Sequence, residues 1–251
     1  MSPPTRPAVS ERREDADLAS SSDAYAARFS GAVGRWFLDL QANITLNALA
    51  DLPAGSTVLD VGGGHAQLVP PLVARGFRVT VVGSDRACRR NLGPWLAAGQ
   101  CRFHVADLQR LPYGPGTFAA VLCFRLLAHS VAWIPLVGEL CRVAADRVVA
   151  DYPSRRSVNV IADRVFAMKR SVEGALTRPY AVYDPKDIAE AFARNGFRVV
   201  HEVPQFFMPM MLYRMMRSDR LGRAVEWPAR RLGVTRLLGS PIIVRADRRH
   251  A

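Results

Sequence analysis

The stretch VLDVGGGHA, residues 58–66, decides the fold, because it is an apolar strand pattern that ends in an acid and runs into a glycine-rich turn. The glycines of this turn, Gly62, Gly63 and Gly64, allow a ligand to approach the main chain where a Cβ would collide with it. Asp60, at the end of the strand, suits a cationic ammonium group better than a pyrophosphate. Since ligands of open α/β sheets bind at the carboxyl ends of the strands, the stretch predicts a ligand site at this turn.

Two further strand patterns also run into acids. Asp85 follows the β-branched run at residues 79–84, where a carboxylate can accept both hydroxyls of a ribose. Asp107 follows residues 103–106 and can receive an amino group such as that of adenine. Three consecutive strands that each end in an acid are a more specific signal than any one of these motifs.

The pattern around these motifs alternates strands and helices. We predict strands at residues 57–61, 78–82, 101–105, 119–124, 147–150, 197–203 and 240–246. We predict helices at residues 68–75, 86–98 and 133–143, a helical insertion at 158–170, and a helix capped by Asp184 and closed by Asn195-Gly196. This order predicts the α/β class, with a single doubly wound, mostly parallel seven-stranded sheet covered by helices on both faces.

The chain divides into a tail and one domain. Residues 1–22 are polar and charge-rich, which predicts a disordered tail, and residues 23–251 are predicted to form a single domain. Its parts are N-terminal helices at 23–55, a ligand-binding half at 56–150 and a substrate-side half at 151–251. Within the first part we expect a helix capped by Ser22 or Asp23 and a second helical segment at 42–52.

The glycine turn and the strand-end acids resemble the motifs of class I (Rossmann-like) methyltransferases that use S-adenosylmethionine (SAM). The likeness covers residues 25–150 well and the rest loosely, and it favours the small-molecule branch that includes quinone-biosynthesis C-methyltransferases. Two departures are Ala66, which replaces the third glycine of the motif, and residues 117–120, which lack the acids common in the fourth strand.

The resemblance implies a role for each strand end. Asp60 and the glycines Gly62 and Gly64 would hold the methionine end of SAM. Asp85 would bind the ribose, and Asp107 with the Leu108 amide would bind the adenine. The implied cofactor is therefore SAM, and the implied reaction is methyl transfer to a small-molecule acceptor.

Three alternatives are weighed against this interpretation. A nicotinamide dehydrogenase requires a third glycine at position 67, where Gln67 stands. A nucleic-acid (RNA) methyltransferase is favoured only by the charge, because no base-methylating tetrapeptide follows the fourth strand and no separate RNA-binding module is seen. The third is a catalytically idle SAM-binding or partner protein.

Methyl transfer from a sulfonium is an in-line displacement, so alignment and exclusion of water supply much of the acceleration. A general base is needed only if the acceptor loses a proton. His129, after the fourth strand, is the first candidate catalytic residue, and a structural, hydrogen-bonded histidine is the alternative reading. Tyr25, Asp151 and Tyr152 are the next candidates.

The net charge of +12 is concentrated in the C-terminal part of the chain, which permits an anionic substrate, an anionic membrane surface or nucleic acid. Residues 204–217 hold five of the seven methionines, and arginines recur after them at three-residue spacing. This segment suggests a wall for an apolar or lipid-linked acceptor brought from an anionic membrane surface. The alternative is ordinary core packing with a solvated arginine face.

The four cysteines have neither paired spacing nor histidines at zinc-ligand spacing, so we predict buried thiols and no metal site. The amino terminus lacks the apolar run of a signal peptide, so we expect a cytoplasmic protein, with peripheral contact at the inner membrane face. Nothing in the sequence specifies an oligomeric state.

Overall fold

A computed structural model describes residues 15–22, 26–130, 132–157 and 180–249. Its centre is a seven-stranded sheet in the order β3-β2-β1-β4-β5-β7-β6. The strands are β1 (Thr57–Val61), β2 (Arg78–Gly83), β3 (Cys101–Val105), β4 (Phe118–Cys123), β5 (Ala144–Tyr152), β6 (Phe197–Phe206) and β7 (Ser240–Arg248). The first five pair in parallel, and β7 runs antiparallel to both β5 and β6. The predicted fold class is confirmed.

Helices cover both faces of this sheet. They are α1 (Ala16–Ser20), α2 (Gly31–Ala48), α3 (Val69–Ala74), α4 (Gly93–Ala97), α5 (Trp133–Val143), α6 (Pro185–Arg194), α7 (Met210–Met215), α8 (Asp219–Arg231) and α9 (Val234–Leu238). One buried cluster joins α5 and α6 to the sheet, and a second joins α3 and the end of α2 to its other face. Each face thereby removes apolar surface from water, which is the main favourable contribution to folding.

A third buried cluster lies outside the sheet, between the first half of α2 and the C-terminal helices. Its buried members are Phe29, Val33, Trp36, Phe37, Phe206 and Tyr213, and Met208, Met210 and Met216 pack against them. The rings of Trp36 and Tyr213 meet edge to face, with centroids 5.4 Å apart. Part of the methionine-rich segment is therefore core.

Glu226 on α8 fastens this third cluster. Its side chain is 2% exposed. The carboxylate accepts hydrogen bonds from the Thr235 hydroxyl at 2.7 Å, the Phe207 amide at 3.1 Å and the Tyr213 hydroxyl. A buried carboxylate is stable only when it is paired and hydrogen-bonded in this way. One side chain thus connects β6, α7, α8 and α9.

The N-terminal helices differ from the prediction. The expected two segments form one helix, α2, which begins at Gly31 rather than after Ser22 and extends to Ala48. The apolar positions continue at helical spacing through both predicted segments, and the chain meets a helix-breaking Pro-Ala-Gly turn only at residues 53–55.

The prediction of a disordered tail is wrong at its carboxyl end. Residues 16–20 form the helix α1, and Asp17 is fully buried. Its carboxylate accepts hydrogen bonds from the Ser84 amide at 2.7 Å, the Ser84 hydroxyl at 2.5 Å and the Cys88 thiol at 3.2 Å. Because these donors satisfy the charge, a polar segment can lie inside the fold. Residues 1–14 are outside the described residues.

The other elements agree with the prediction, with three exceptions. The helix predicted at 86–98 is a 3₁₀ helix (Arg86–Leu92) followed by α4, because Gly93-Pro94 interrupts the backbone hydrogen bonds. Strands β5 and β6 are longer than predicted. The helical insertion at 158–170 is outside the described residues. The Asp184 cap is confirmed, since its carboxylate accepts a hydrogen bond from the Lys186 amide.

All four cysteines are buried free thiols, as expected for small apolar residues. Among the described residues, no helix has the length and hydropathy that crossing a bilayer requires.

Candidate active site

Three acids lie at one edge of the sheet. Strand β2 pairs in parallel with β1 on one side and with β3 on the other. Asp60 is the fourth residue of β1, while Asp85 and Asp107 follow two residues after β2 and β3 end. Because the carboxyl ends of parallel strands meet at the same edge, the fold brings these predicted residues together.

The glycine turn after β1 has a shape that side chains would prevent. Gly62 has a left-handed φ of +75°, which favours glycine. A Cβ on Gly63 would collide with the Asp60 carboxylate, and one on Gly64 would collide with the Cys88 carbonyl. The turn is therefore a backbone cradle against a buried carboxyl. Ala66 also adopts a left-handed φ, of 62°, at the position where the family motif has glycine.

Asp60 is buried in a way that favours a cationic partner. Its side chain is 3% exposed. Loss of hydration raises its pKa to about 7, while the Arg125 guanidinium acts in the opposite direction. An ammonium group beside this carboxyl would restore the charged form. The buried acid and the glycine cradle thus fit the methionine end of SAM.

The two other acids are held by turns at the strand ends. Asp85 is exposed and caps the following 3₁₀ helix by accepting a hydrogen bond from the Ala87 amide at 2.8 Å. Asp107 accepts one from the Gln109 amide at 3.0 Å, and Leu108 beside it is buried. Both carboxylates keep acceptor capacity for a ligand, since each has two oxygens and several lone pairs.

The loop after Asp107 is tied to helix α5. Glu139 accepts a hydrogen bond from the Leu111 amide at 2.7 Å, and it pairs with Arg142. Arg142 in turn donates to the carbonyls of Leu111 and Tyr113 at 2.9 and 2.7 Å. These bonds fix the backbone that would face an adenine.

The candidate bases lie in different surroundings. His129 ends a 3₁₀ helix after β4, and its ring lies 5.5 Å from that of Tyr180. Tyr152 is fully buried, and its hydroxyl donates to Glu202 at 2.6 Å. Burial and Glu202 raise the pKa of this phenol, which makes it a poor base near neutral pH. Tyr25 is outside the described residues.

Asp151 is buried at the carboxyl end of β5. It accepts a hydrogen bond from the Arg125 amide at 2.5 Å, and burial raises its pKa to about 6. Its position and its pKa suit proton transfer better than those of Tyr152.

Sequence reasoning missed Arg125 as a site residue. It directly follows Phe124 after β4, with a left-handed φ of 59°. Its guanidinium donates to the side-chain oxygen of Gln67, and Gln67 donates to that of Gln41 on α2. The available signal was an arginine that interrupts the most apolar stretch of the chain at the end of a predicted strand.

Phe29 and Arg214 were also missed, because tertiary packing brings them to the site. The Phe29 ring lies 5.8 Å from the His65 ring and 4.9 Å from Cζ of Arg125. Arg214 on α7 lies over the same ring. Burial, aided by Arg125, lowers the pKa of His65 to about 4, so this histidine is neutral.

This strand order, the glycine cradle over a buried acid and the two further strand-end acids define a class I methyltransferase with SAM as its cofactor. Residues 35–202 match the family model described as a methyltransferase domain, and the chain belongs to that family. No curated protein matches the sequence.

Solved structures share the fold at low sequence identity. The magnesium protoporphyrin IX methyltransferase of Synechocystis PCC 6803 with bound S-adenosylhomocysteine is 17% identical, with a TM-score of 0.62, over 90% of this chain and 94% of that one. Geranyl diphosphate methyltransferase in complex with SAM is 17% identical, with a TM-score of 0.64, over 94% and 97%. The 1,6-didemethyltoxoflavin-N1-methyltransferase of Burkholderia thailandensis is 16% identical, with a TM-score of 0.59, over 93% and 85%.

Proposed function

We propose that this protein transfers a methyl group from SAM to a small-molecule acceptor with an apolar body, which it collects at an anionic membrane surface. The observation that carries the acceptor class is the aromatic and methionine cluster around Phe29, which adjoins the glycine turn through His65. The similar solved structures include methyltransferases named for magnesium protoporphyrin IX and geranyl diphosphate, which are small molecules.

Each strand-end residue has a binding role in this proposal. SAM supplies an activated methyl group on its sulfonium. Asp60 accepts from the ammonium group, and the amides of the glycine turn lie against the same end of the cofactor. Asp85 accepts from the ribose hydroxyls, and Asp107 with the Leu108 amide recognises the adenine. These contacts fix the direction from which an acceptor approaches.

A base is required only if the acceptor must lose a proton. His129 and Asp151 are the two candidates among the described residues, because each lies where a parallel strand ends. A pH profile separates them. If Asp151 is the base, activity rises through a pH of about 6 and Asp151→Asn removes that dependence, whereas His129→Gln does not.

The methyl-transfer experiment uses SAM labelled on its methyl carbon. The protein is incubated with total cell extract, which is then separated into lipids and small molecules, RNA and protein. We expect label in the lipid and small-molecule fraction, and none with Asp60→Asn. Label in RNA would support the alternative substrate class, and no label in any fraction despite SAM binding would support an idle protein.

The membrane part depends on the surface of the C-terminal helices. Most large apolar side chains that are exposed among the described residues belong to this region, namely Met211, Met215, Leu221, Val225, Trp227, Leu232, Leu237 and Leu238. Exposed arginines alternate with them: Arg217, Arg220, Arg223, Arg231 and Arg236. Apolar side chains beside arginines are typical of a surface that lies on anionic lipid.

Sedimentation with vesicles tests this part. We expect binding to vesicles of phosphatidylglycerol and phosphatidylcholine in equal parts, and little binding to phosphatidylcholine alone. The double variant Trp227→Ser, Leu232→Ser should abolish it, while Ile134→Ser, an exposed apolar residue elsewhere, serves as the control. Equal sedimentation of both variants would contradict the assignment of this surface.

A further inference from the structure

Two guanidinium groups lie over one aromatic ring on the acceptor side of the site. Cζ of Arg125 is 4.9 Å and Cζ of Arg214 is 5.5 Å from the centroid of the Phe29 ring. The three residues come from the segment before α2, the turn after β4 and helix α7. Like charges disfavour such proximity unless other groups compensate for it.

Both arginines are positioned by the fold. The main chain of Arg125 is bound to Asp151, and its side chain is bound to Gln67. Arg214 is next to Tyr213, whose hydroxyl is fixed by buried Glu226, and its guanidinium also lies 5.8 Å from the Phe37 ring. A left-handed φ at Arg125 persists only where the surroundings determine it.

The carboxyl groups near Arg125 have other roles. Asp60 is assigned to the ammonium group of the cofactor, and Asp151 accepts from the Arg125 amide. His65, which faces the same phenyl ring, is neutral. A sulfonium brings a further positive charge to this space, so an acceptor that carries negative charge is favoured electrostatically.

We propose that Arg125 and Arg214 together bind an anionic oxygen group, a phosphate or a carboxylate, on the acceptor, while Phe29 contacts its apolar body. Guanidinium groups match the geometry of both anions and stack on aromatic faces. This inference rests on the proposed function, because it concerns the acceptor of the same methyl transfer. It assigns a specificity role to two residues from distant parts of the chain.

Calorimetric titration of inert amphiphiles tests the inference without turnover. The probes are decyl phosphate, decanoate and decanol, added below their aggregation concentrations to protein with and without saturating S-adenosylhomocysteine. We expect decyl phosphate or decanoate to bind at least about tenfold more tightly than decanol. The more tightly bound of the two anions identifies which group the site prefers.

Variants assign the effect to the arginines. Arg214→Gln should weaken the preferred anion at least about tenfold and leave decanol and S-adenosylhomocysteine within about twofold. Arg214→Lys should restore part of the anion affinity. Arg194→Gln, an exposed arginine on α6, is the matched control and should change nothing. Thermal melts establish that each variant is folded.

The outcomes separate the two levels of the proposal. Normal S-adenosylhomocysteine binding with no preference for the anions, or with equal effects of Arg214→Gln and Arg194→Gln, overturns this inference alone. Failure of the folded wild type to bind S-adenosylhomocysteine overturns the proposed function and this inference with it.

Discussion

The cofactor side and the acceptor side of the site are built in different ways. On the cofactor side, Asp60, Asp85 and Asp107 come from three consecutive strands, and the backbone of each strand end sets their positions. On the acceptor side, Phe29, Arg125 and Arg214 meet only because α2 packs against α7, with Glu226 fastening the C-terminal helices. The first depends on main-chain geometry and the second on side-chain packing. Changes should therefore affect one side without the other.

The largest expected effect belongs to the acceptor side. Glu226→Ala leaves the donors of Phe207, Tyr213 and Thr235 without their acceptor, so we expect the free energy of unfolding to fall by about 3–5 kcal/mol. Urea unfolding measures this change, and calorimetry should find SAM affinity within about twofold in the folded variant. Glu190→Ala, which removes an exposed ion pair, is the control. If SAM affinity falls as much as stability, the two sides are not separable.

The next effect concerns Asp60. Asp60→Asn should weaken SAM binding about a hundredfold or more at pH 8, because a charged acceptor for the ammonium group is lost. The same change should stabilise the free protein by about 1–3 kcal/mol at that pH, since the wild type must ionise a buried carboxyl.

The sign of the stability effect depends on pH. The pKa of Asp60 is raised from 3.8 to about 7 in the fold, so the wild type loses stability as pH rises between these values. The gain from Asp60→Asn should accordingly be small at pH 5 and full at pH 8 in thermal melts. A gain that is equal at both values, or a loss at pH 8, would contradict the assigned ionisation.

A smaller effect tests whether the N-terminal segment belongs to the cofactor side. Asp17→Ala leaves the buried Ser84 amide without its acceptor, so the free energy of unfolding should fall by about 1.5–3 kcal/mol. Denaturant unfolding beside Asp15→Ala, an exposed acid in the same segment, measures it. Equal stabilities of the two variants would mean that α1 does not pack as described.

The smallest effect is at Ala66. Its left-handed φ disfavours a residue with a Cβ, but glycine also increases the freedom of the unfolded chain. Ala66→Gly should therefore change the free energy of unfolding by less than about 1 kcal/mol. A loss of several kcal/mol would show that the buried methyl group matters more than the backbone conformation.

What could be predicted from the sequence follows the same division. The strand order, the glycine turn and the strand-end acids depend on local patterns, and the structure reproduces them. Burial of Asp17 could not be predicted, because its partners Ser84 and Cys88 lie far along the chain and its own segment is polar.

The acceptor side shows the limit of strand-end reasoning. Tyr152 does end β5, but its hydroxyl is bound to Glu202 of β6, a pairing that depends on how the C-terminal strands return to the sheet. Phe29 and Arg214 carry no motif, and only the packing of α2 against α7 brings them together.

Titration of SAM into the purified protein, beside Asp85→Ala, tests the central claim most directly. Asp184→Ala is the matched control, because Asp184 also caps a helix through its side chain but lies away from the cofactor edge. We predict that Asp85→Ala weakens SAM binding about 10–150-fold, as expected for loss of a charged acceptor from the ribose, while Asp184→Ala leaves it within about twofold. The account is contradicted if folded wild type does not bind SAM, or if both variants bind it equally well.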